Sequence, residues 1–181
     1  MHGTENPSAW LQRWAHLIAD KSQVLDIACG AGRHMRWLAA QGHTVHGVDR
    51  NPDALALAQV HGQVTCADIE NGPWPFSGQT YGAVVVTNYL WRPLLPVIVQ
   101  SLAPGGVLVY ETFAAGNETV GKPSRPDFLL QPGELLSATP SLRTVAYEDG
   151  FESSPDRFVQ RIVAVRPQST EDVSRWLLSK A

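Results

Sequence analysis

The sequence has little of what several classes of protein require. Only two of its 181 residues are cysteines, Cys29 and Cys66, which excludes a disulfide scaffold and predicts two free thiols. No apolar run approaches the length of a membrane span, and no secretory signal is recognisable at the N-terminus. These scarcities predict a cytoplasmic protein without a membrane partner.

Charged residues are also sparse, and neither sign dominates. They make up 17% of the chain, with a formal charge of −3. Nucleic-acid-binding surfaces usually carry a basic excess, so the balance argues against a general nucleic-acid partner. Of the six histidines, His43 and His46 are the closest pair outside the glycine-rich stretch. No cysteine or acidic cluster accompanies them, and no metal site is predicted.

The order of apolar and polar segments predicts an α/β fold with a parallel, helix-covered sheet. We expect a single domain over residues 1–168, with an N-terminal helix over 7–20 whose N-cap is Asn6. Residues 169–181 are expected to form a C-terminal helix or tail, whose Trp176 packs on the domain or faces a partner. The predicted strands are 24–29, 44–49, 63–67, 81–88 and 107–112, followed by an antiparallel pair at 142–148 and 158–165. The predicted helices are 32–41, a segment from Pro52, 93–102 and 131–138, with a tight turn at 103–106 and a long loop at 114–127.

The most informative stretch is Val24–His34, in which an apolar strand leads through a glycine turn into a helix. Gly30 and Gly32 let the backbone approach a ligand, and the helix that follows directs its N-terminal N–H groups at the turn. A dinucleotide fold would have a third glycine where this chain has Met35. The pyrophosphate of a dinucleotide would also gain little from Asp26, which lies in the strand before the turn. A sulfonium ligand with an α-amino group could use that acid.

Two further acids follow the next predicted strands. Asp49 could accept hydrogen bonds from two vicinal ribose hydroxyls, although an NAD enzyme has an acid in the same place and a helix dipole would also favour one. Asp68 could accept from an adenine amino group, while the Ile69 amide donates to the ring and its side chain covers it. A solvated acid in a turn is the alternative for Asp68.

The pattern D-x-x-x-G-x-G, formed by Asp26, Gly30 and Gly32, resembles the first motif of class I S-adenosylmethionine-dependent methyltransferases. The resemblance extends from Val24 to Thr112 and includes both later acids and the Leu-Ala-Pro-Gly-Gly turn. It implies a Rossmann-like, seven-stranded, mostly parallel sheet of order 3-2-1-4-5-7-6, with helices on both faces and an antiparallel terminal hairpin. Ala28 stands where the family often has glycine.

The resemblance implies S-adenosyl-L-methionine as the cofactor. Arg33 in Gly-Arg-His is similar to a tellurite-resistance-type bacterial subgroup, in which it would lie near the methionine carboxylate; a solvated first-turn arginine is the alternative. The cofactor-binding residues expected are Asp26, Ala28, Cys29, Gly30, Gly32, Arg33, Asp49, Arg50, Asp68, Ile69 and Asn88.

The acceptor is expected at the ends of the fourth and fifth strands, where Asn88, Tyr89 and Glu111 are the candidate catalytic residues. Tyr89 could wall an acceptor pocket or pack in the core. Glu111 could be a base, bind a substrate amino group or be a structural acid. Lys122, in the long loop, could belong to a lid. In-line methyl transfer to a small molecule is the leading hypothesis, since no added domain is present to hold a macromolecule.

Three other functions remain open from the sequence, one of which is an RNA methyltransferase, although the acidic charge balance disfavours it. A non-catalytic module could retain the cofactor pocket and use the C-terminal Trp176 to capture a partner. A nicotinamide oxidoreductase is disfavoured by Met35 and Asp68. The identity of the acceptor and the oligomeric state cannot be derived from these residues.

Overall fold

Seven strands form one sheet in the computed structural model, which describes residues 6–168 and 175–179. Their order is β3-β2-β1-β4-β5-β7-β6, as the resemblance implied. The five strands from β1 to β5 pair in parallel, and β7 is antiparallel to both β5 and β6. The strands are β1 Gln23–Ile27, β2 Thr44–Asp49, β3 Gln63–Cys66, β4 Tyr81–Thr87, β5 Leu102–Phe113, β6 Arg143–Ser153 and β7 Asp156–Val165.

Helices cover both faces of this sheet and enclose two apolar cores. Leu11, Met35 and Leu55 belong to one core, while Ile98 and Leu135 belong to the other. The central strand β4 contributes to both cores because its Ala83–Val86 run is fully buried, with alternate side chains facing opposite sides. The helices are α1 Ala9–Trp14, α2 Arg33–Ala40, α3 Pro52–Ala58, α4 Leu95–Gln100 and α5 Glu134–Ala138.

The N-terminal helix predicted over 7–20 is wrong in length and in its cap. Helix α1 has six residues, and Ser8 rather than Asn6 is its N-cap. The Ser8 hydroxyl accepts the backbone N–H groups of Trp10 and Leu11, at 3.1 and 3.3 Å, and satisfies donors that the first turn leaves unpaired. The helix tightens to a 3₁₀ turn over Ala15–Leu17, after which Ile18 is extended.

The helix predicted at 93–102 and the turn predicted at 103–106 are also corrected. A 3₁₀ turn over Arg92–Leu94 precedes α4, and β5 already begins at Leu102. Leu102 pairs with Tyr81 of β4, and the register shifts before the next pair. The Pro-Gly-Gly stretch is therefore an irregularity inside a strand, because pairing on both sides holds it in the sheet.

The terminal hairpin is longer than predicted, with β6 and β7 reaching Ser153 and Asp156 at the tip. At the C-terminus, Trp176 packs against one of the cores and the His16 Nε2–H donates to the Leu177 carbonyl at 2.9 Å. Residues 169–174 and 180–181 of the predicted helix or tail lie outside the described residues. Within the described ranges, no helix combines the length and apolar character needed to cross a membrane.

Candidate active site

The turn between β1 and α2 has a left-handed backbone at three positions. Ala28, Gly30 and Gly32 have φ values of 54°, 55° and 79°. A Cβ at Gly32 would lie 2.9 Å from the Ala58 Cβ, whereas one at Gly30 would meet no atom within 4 Å. Gly32 is therefore required by the packing of α2 on α3, while Gly30 keeps the cleft side of the turn open.

Met35 occupies the position at which a dinucleotide fold would have its third glycine. It is fully buried, and a Cβ at Gly47 of β2 would collide with its sulfur. Close packing between α2 and the sheet is thus achieved by a glycine on the strand instead of one on the helix. The sequence pattern gave no sign of this exchange, because the two residues are 12 positions apart.

Asp26 lies beneath the turn and is 1% exposed. Burial raises its pKa to about 8, and the opposing effect of the Arg33 guanidinium is smaller. Its Oδ1 is 3.9 Å from His34 Nδ1, while its Oδ2 has no hydrogen-bond partner among the described residues. A buried carboxyl with an unused oxygen beneath the glycine turn is suited to hydrogen-bond with a polar group of a ligand.

His34 is buried next to Asp26 and is held neutral. Burial lowers its pKa to about 3, with a further lowering by Arg33. The Ser8 backbone N–H donates to Nε2 at 3.2 Å, so the ring proton is assigned to Nδ1, which is 3.4 Å from the Thr87 hydroxyl. Both ring nitrogens are therefore occupied inside the protein.

Asp49 ends β2 and bonds back to the glycine turn. Its Oδ2 accepts the Gly30 N–H at 2.9 Å, and its Oδ1 accepts the Asn51 N–H at 2.9 Å. A carboxylate has about four acceptor positions, so each oxygen can still accept one hydroxyl. This geometry suits a ribose diol and also fixes the turn to the second strand.

Asp68 lies two residues beyond β3 and organises its own loop. It accepts the Glu70 and Asn71 N–H groups and the Asn71 side-chain amide. These bonds, that of the Asn71 side chain first, lower the pKa of Asp68 and keep it ionised. The neighbouring Ile69 is 8% exposed and presents an apolar surface beside the carboxylate.

Three adjoining cavities lie at the carboxyl ends of the parallel strands, and Asn88 and Phe113 line all three. Each cavity takes its name from one of its lining residues. The Asp68 cavity has a volume of about 340 Å³, and the Gly30 cavity has a volume of about 370 Å³. The Lys122 cavity is the largest, at about 530 Å³. The Asp68 cavity is lined by residues that include Ala28, Asp49, Arg50, Asp68, Ile69, Glu70, Tyr89, Pro123 and Phe128. The Gly30 cavity is lined by Ala28, Cys29, Gly30, Arg33, His34, Thr87, Asn88 and Phe113.

The Lys122 cavity is built from six segments that are distant in the sequence. These are the entry to α1, the start of α2, the residue after β4, the end of β5, the loop at 117–122 and the tip of the terminal hairpin. Its charged lining residues are Arg33, Glu111, Lys122, Asp156 and Arg157. Because Arg33, Asn88 and Phe113 also line the Gly30 cavity, the two cavities form one continuous cleft.

Glu111 is buried in an ion-pair network. Its Oε2 is 3.1 Å from Arg161 Nε, and its Oε1 accepts the Ser8 hydroxyl at 2.9 Å. Arg161 is on β7, where the strand register places it opposite Glu111 of β5 and Glu148 of β6. Its guanidinium contacts Glu148 and also Glu152. The Glu111 carboxylate thus contacts a guanidinium and a hydroxyl inside the fold, as a structural acid would.

The cleft brings together most of the residues predicted from the sequence. Gly32 and Asp26 line none of the three cavities, since one packs on α3 and the other is buried under the turn. Tyr89 lines the Asp68 cavity and Glu111 the Lys122 cavity, so these two candidates lie at opposite parts of the cleft around Asn88. Sequence reasoning missed Ser8 and Arg157, because no local pattern marks residues that approach only through the tertiary fold.

Comparison with known proteins identifies the family of the chain. A family model described as a methyltransferase domain matches residues 24–106. A 2-heptyl-1-hydroxyquinolin-4(1H)-one methyltransferase from Mycobacteroides abscessus is 30% identical, over 86% of this chain and 77% of that protein. The chain belongs to the class I S-adenosylmethionine-dependent methyltransferases. The methyltransferase uses S-adenosyl-L-methionine, and the expected reaction type and cofactor are confirmed.

Solved structures confirm the fold of the methyltransferase. A TehB-like enzyme from Corynebacterium glutamicum superposes with a TM-score of 0.64 at 20% identity, over 90% of each chain. TehB from Haemophilus influenzae gives a TM-score of 0.67 at 19% identity, over 84% of this chain and 59% of that longer one. Identities this low show a shared architecture and carry no information about the acceptor.

The described residues fit the cofactor of the family. The free acceptor positions of Asp49 suit a diol, and the unpartnered Asp26 Oδ2 lies behind a turn whose cleft side is open at Gly30. The apolar surface of Ile69 lies next to these groups and suits a purine ring.

Proposed function

We propose that the methyltransferase binds its cofactor across the Asp68 and Gly30 cavities and its acceptor in the Lys122 cavity. The observation that carries this proposal is that Asn88 and Phe113 line all three cavities, so two ligands placed on either side of them would meet there. The carboxyl ends of the strands in an open α/β sheet are the usual place for such a site.

In this arrangement the ribose diol is held by Asp49, with Arg50 beside it. The adenine amino group is held by Asp68, with Ile69 against the ring. The turn over Ala28, Cys29 and Gly30 receives the methionine part, which Arg33 and Asn88 flank. Asp26 and Gly32 act from behind the turn, the former through its unpartnered carboxyl oxygen and the latter through packing.

The acceptor is a small molecule in this proposal. A cavity of about 530 Å³ suits a compound of modest size. The Mycobacteroides abscessus relative acts on a heptyl-hydroxyquinolinone, which is a small molecule. The formal charge of −3 supports a small acceptor over nucleic acid.

The protein's contribution to the reaction is alignment and exclusion of water. When bound, the cofactor supplies a methyl group on a sulfonium, whose leaving group is a neutral thioether. Asn88 and Phe113 position the acceptor for in-line approach, and Ser8 and Pro7 close the side of the Lys122 cavity at the N-terminal segment. Tyr89, another of the candidate catalytic residues, contributes to the wall of the Asp68 cavity.

Two further parts of the proposal concern organisation and location. Residues 1–168 act as one domain, with Trp176 packed on it. The two free thiols, Cys29 buried and Cys66 exposed, favour the reducing cytoplasm.

Calorimetry on the purified protein tests the cofactor site. S-adenosylmethionine and S-adenosylhomocysteine should each bind at a single site, and NAD should not compete with them. Asp68→Ala should weaken adenosine binding, whereas Asp127→Ala, an exposed acid paired with Arg125, should not. Tight NAD binding, or full cofactor affinity in Asp68→Ala, would overturn the assignment of these cavities.

A further inference from the structure

The loop that follows β5 leaves the sheet and returns to the same place. The Ala115 N–H donates to the Leu130 carbonyl at 2.9 Å, and the Leu130 N–H donates to the Phe113 carbonyl at 3.0 Å, so the two ends of the loop lie side by side. We call the intervening residues 116–129 the strap. Compact surface loops whose ends meet in this way are frequently functional, because a rigid scaffold positions the residues that they carry.

The strap contributes wall residues to both of the cavities proposed to hold the two ligands. Pro123 and Phe128 line the Asp68 cavity. Asn117, Gly121 and Lys122 line the Lys122 cavity. Two adjacent residues, Lys122 and Pro123, therefore belong to the walls of different cavities. A movement of the strap would change the closure of both cavities at once.

The strap has almost no core of its own. Residues 118–128 are exposed, except for the partly buried Pro123. Backbone hydrogen bonds within the strap are short-range, such as the bond from the Gly121 N–H to the Asn117 carbonyl at 2.9 Å. Segments with few buried apolar contacts open at a low cost in free energy. The strap therefore depends on its anchors to remain over the cleft.

The first anchor is Asn117, which is 1% exposed. Its Nδ2–H donates to the Pro123 carbonyl at 2.9 Å, and its Oδ1 accepts the Phe158 N–H of β7 at 3.2 Å. One buried amide thus joins the sheet to the part of the strap that lines the Asp68 cavity. Because both ends of this amide are hydrogen-bonded, it holds the strap backbone in one geometry.

The second anchor is Arg92, which lies shortly after the end of β4. Its guanidinium donates to the carbonyls of Asp127 and Leu129 at 2.8 and 2.9 Å, and an ion pair with Glu134 at 2.6 Å orients it. Asp127 and Leu129 flank Phe128 in the chain. Arg92 therefore fixes the backbone on both sides of a residue that lines the Asp68 cavity, and the rigid fork of a guanidinium is suited to hold two acceptors.

We propose that the strap is a cover over both ligands, and that Asn117 and Arg92 are the positioning residues that hold it closed. The proposal rests on the assignment of the cavities made above. Closure at Pro123 and Phe128 slows release of the cofactor, while closure at Lys122 keeps water out of the acceptor cavity. Opening of the strap lets both ligands exchange.

Amide hydrogen exchange read by mass spectrometry tests the cover. S-adenosylhomocysteine should slow exchange by at least about tenfold in the strap and also in the glycine turn over residues 28–34. Protection of the turn without protection of the strap would overturn the cover and leave the cofactor site intact. Protection of neither segment would overturn both.

Asn117→Asp tests the first anchor. The aspartate keeps an oxygen that accepts the Phe158 N–H, but it places a second oxygen against the Pro123 carbonyl where the amide donated. In stopped-flow measurements S-adenosylhomocysteine should dissociate about tenfold faster from this variant, and the strap should lose its protection from exchange. Glu118→Gln is the matched control, since Glu118 is exposed in the same strap and accepts the Gly116 N–H. It should leave the dissociation rate unchanged.

Arg92→Lys tests the second anchor and serves equally if Asn117→Asp does not fold. The lysine keeps a cation beside Glu134 but cannot donate to both strap carbonyls, so dissociation should again be faster than in the wild type. Denaturant unfolding of each variant separates closure from stability. A lower free energy of unfolding with a wild-type dissociation rate in both variants would show that the anchors are only structural and would overturn the proposal.

Discussion

The Ser8 hydroxyl donates a hydrogen bond of 2.9 Å to Glu111 Oε1, joining the cap of the first helix to the end of the fifth strand. The Ser8 Oγ also accepts two backbone N–H groups of α1, and the Ser8 backbone N–H donates to His34 Nε2. Ser8 therefore connects the N-terminal segment to both the helix that follows the glycine turn and the wall of the Lys122 cavity. Its contribution can be measured directly.

Ser8→Ala should lower the free energy of unfolding by about 1–2 kcal/mol, because it removes a helix cap and a hydrogen bond to a buried carboxylate. Denaturant unfolding followed by circular dichroism measures the change. Ser8→Thr, which keeps the hydroxyl, should recover most of the loss. Equal losses in both variants would mean that the hydroxyl bonds are not the cause.

Glu111→Gln should destabilise the protein more than Glu148→Gln does. Both glutamates contact Arg161, but the Glu111 side chain is 5% exposed and that of Glu148 is 45% exposed. Loss of the buried partner leaves the arginine's charge less compensated, at a cost of roughly 1–3 kcal/mol, whereas an exposed pair contributes little. Thermal and denaturant unfolding of the two variants test the order, and a larger loss in Glu148→Gln would contradict it.

Asp26→Asn should change the pH dependence of stability. The folded-state pKa of Asp26 is about 8 against an ordinary 3.8, so the folded protein binds the extra proton and stability falls as pH rises between these values. His34 has the opposite effect, because its pKa is lowered from the ordinary 6.5 to about 3. Its contribution to stability therefore rises with pH between these two values and does not change above pH 6.5. Between pH 6.5 and 8 the wild type should therefore lose up to about 1.4 kcal/mol per pH unit relative to Asp26→Asn.

Urea unfolding of both proteins across this pH range supplies the measurement for Asp26. Parallel stability curves for the two proteins would show that the buried carboxyl does not retain its proton.

Asp49→Asn should weaken S-adenosylmethionine binding by roughly tenfold or more, because an amide accepts fewer hydrogen bonds than a carboxylate and presents donors to the ribose hydroxyls. Asp53→Asn is the matched control, since Asp53 lies four residues later in the first turn of α3. Calorimetry measures both affinities. The role of Asp49 would be refuted if the two variants bound the cofactor equally well.

Gly32→Ala should destabilise the fold more than Gly30→Ala. Both residues have positive φ, at a cost of about 1 kcal/mol for alanine, but only at Gly32 does the new Cβ also meet Ala58. Gly30→Ala should instead act mainly on cofactor affinity, because its Cβ faces open space beside the cleft. Comparing unfolding with calorimetry separates the two effects; the reverse order of stability would contradict the packing argument.

The sequence by itself determined the alternation of strands and helices and the edge of the sheet at which two acids would lie, and its resemblance to a known family implied the sheet order. Asp49 and Asp68 follow successive parallel strands, and such strands end at one edge of a sheet, so local patterns suffice to bring them to one cleft. The turn between β1 and α2 was equally readable from Gly30 and Gly32, because glycines allow a tight turn and the close approach of a ligand.

Only the tertiary structure decided how charge is distributed around the Lys122 cavity. Glu111 looked like a candidate base, but the antiparallel register of β5 and β7 sets Arg161 opposite it. Ser8 reaches it from 103 positions away, and Lys122 enters the cavity from a loop. Ion pairs and cavity walls depend on which distant segments meet, and no local periodicity encodes those meetings; they follow from strand register and core packing.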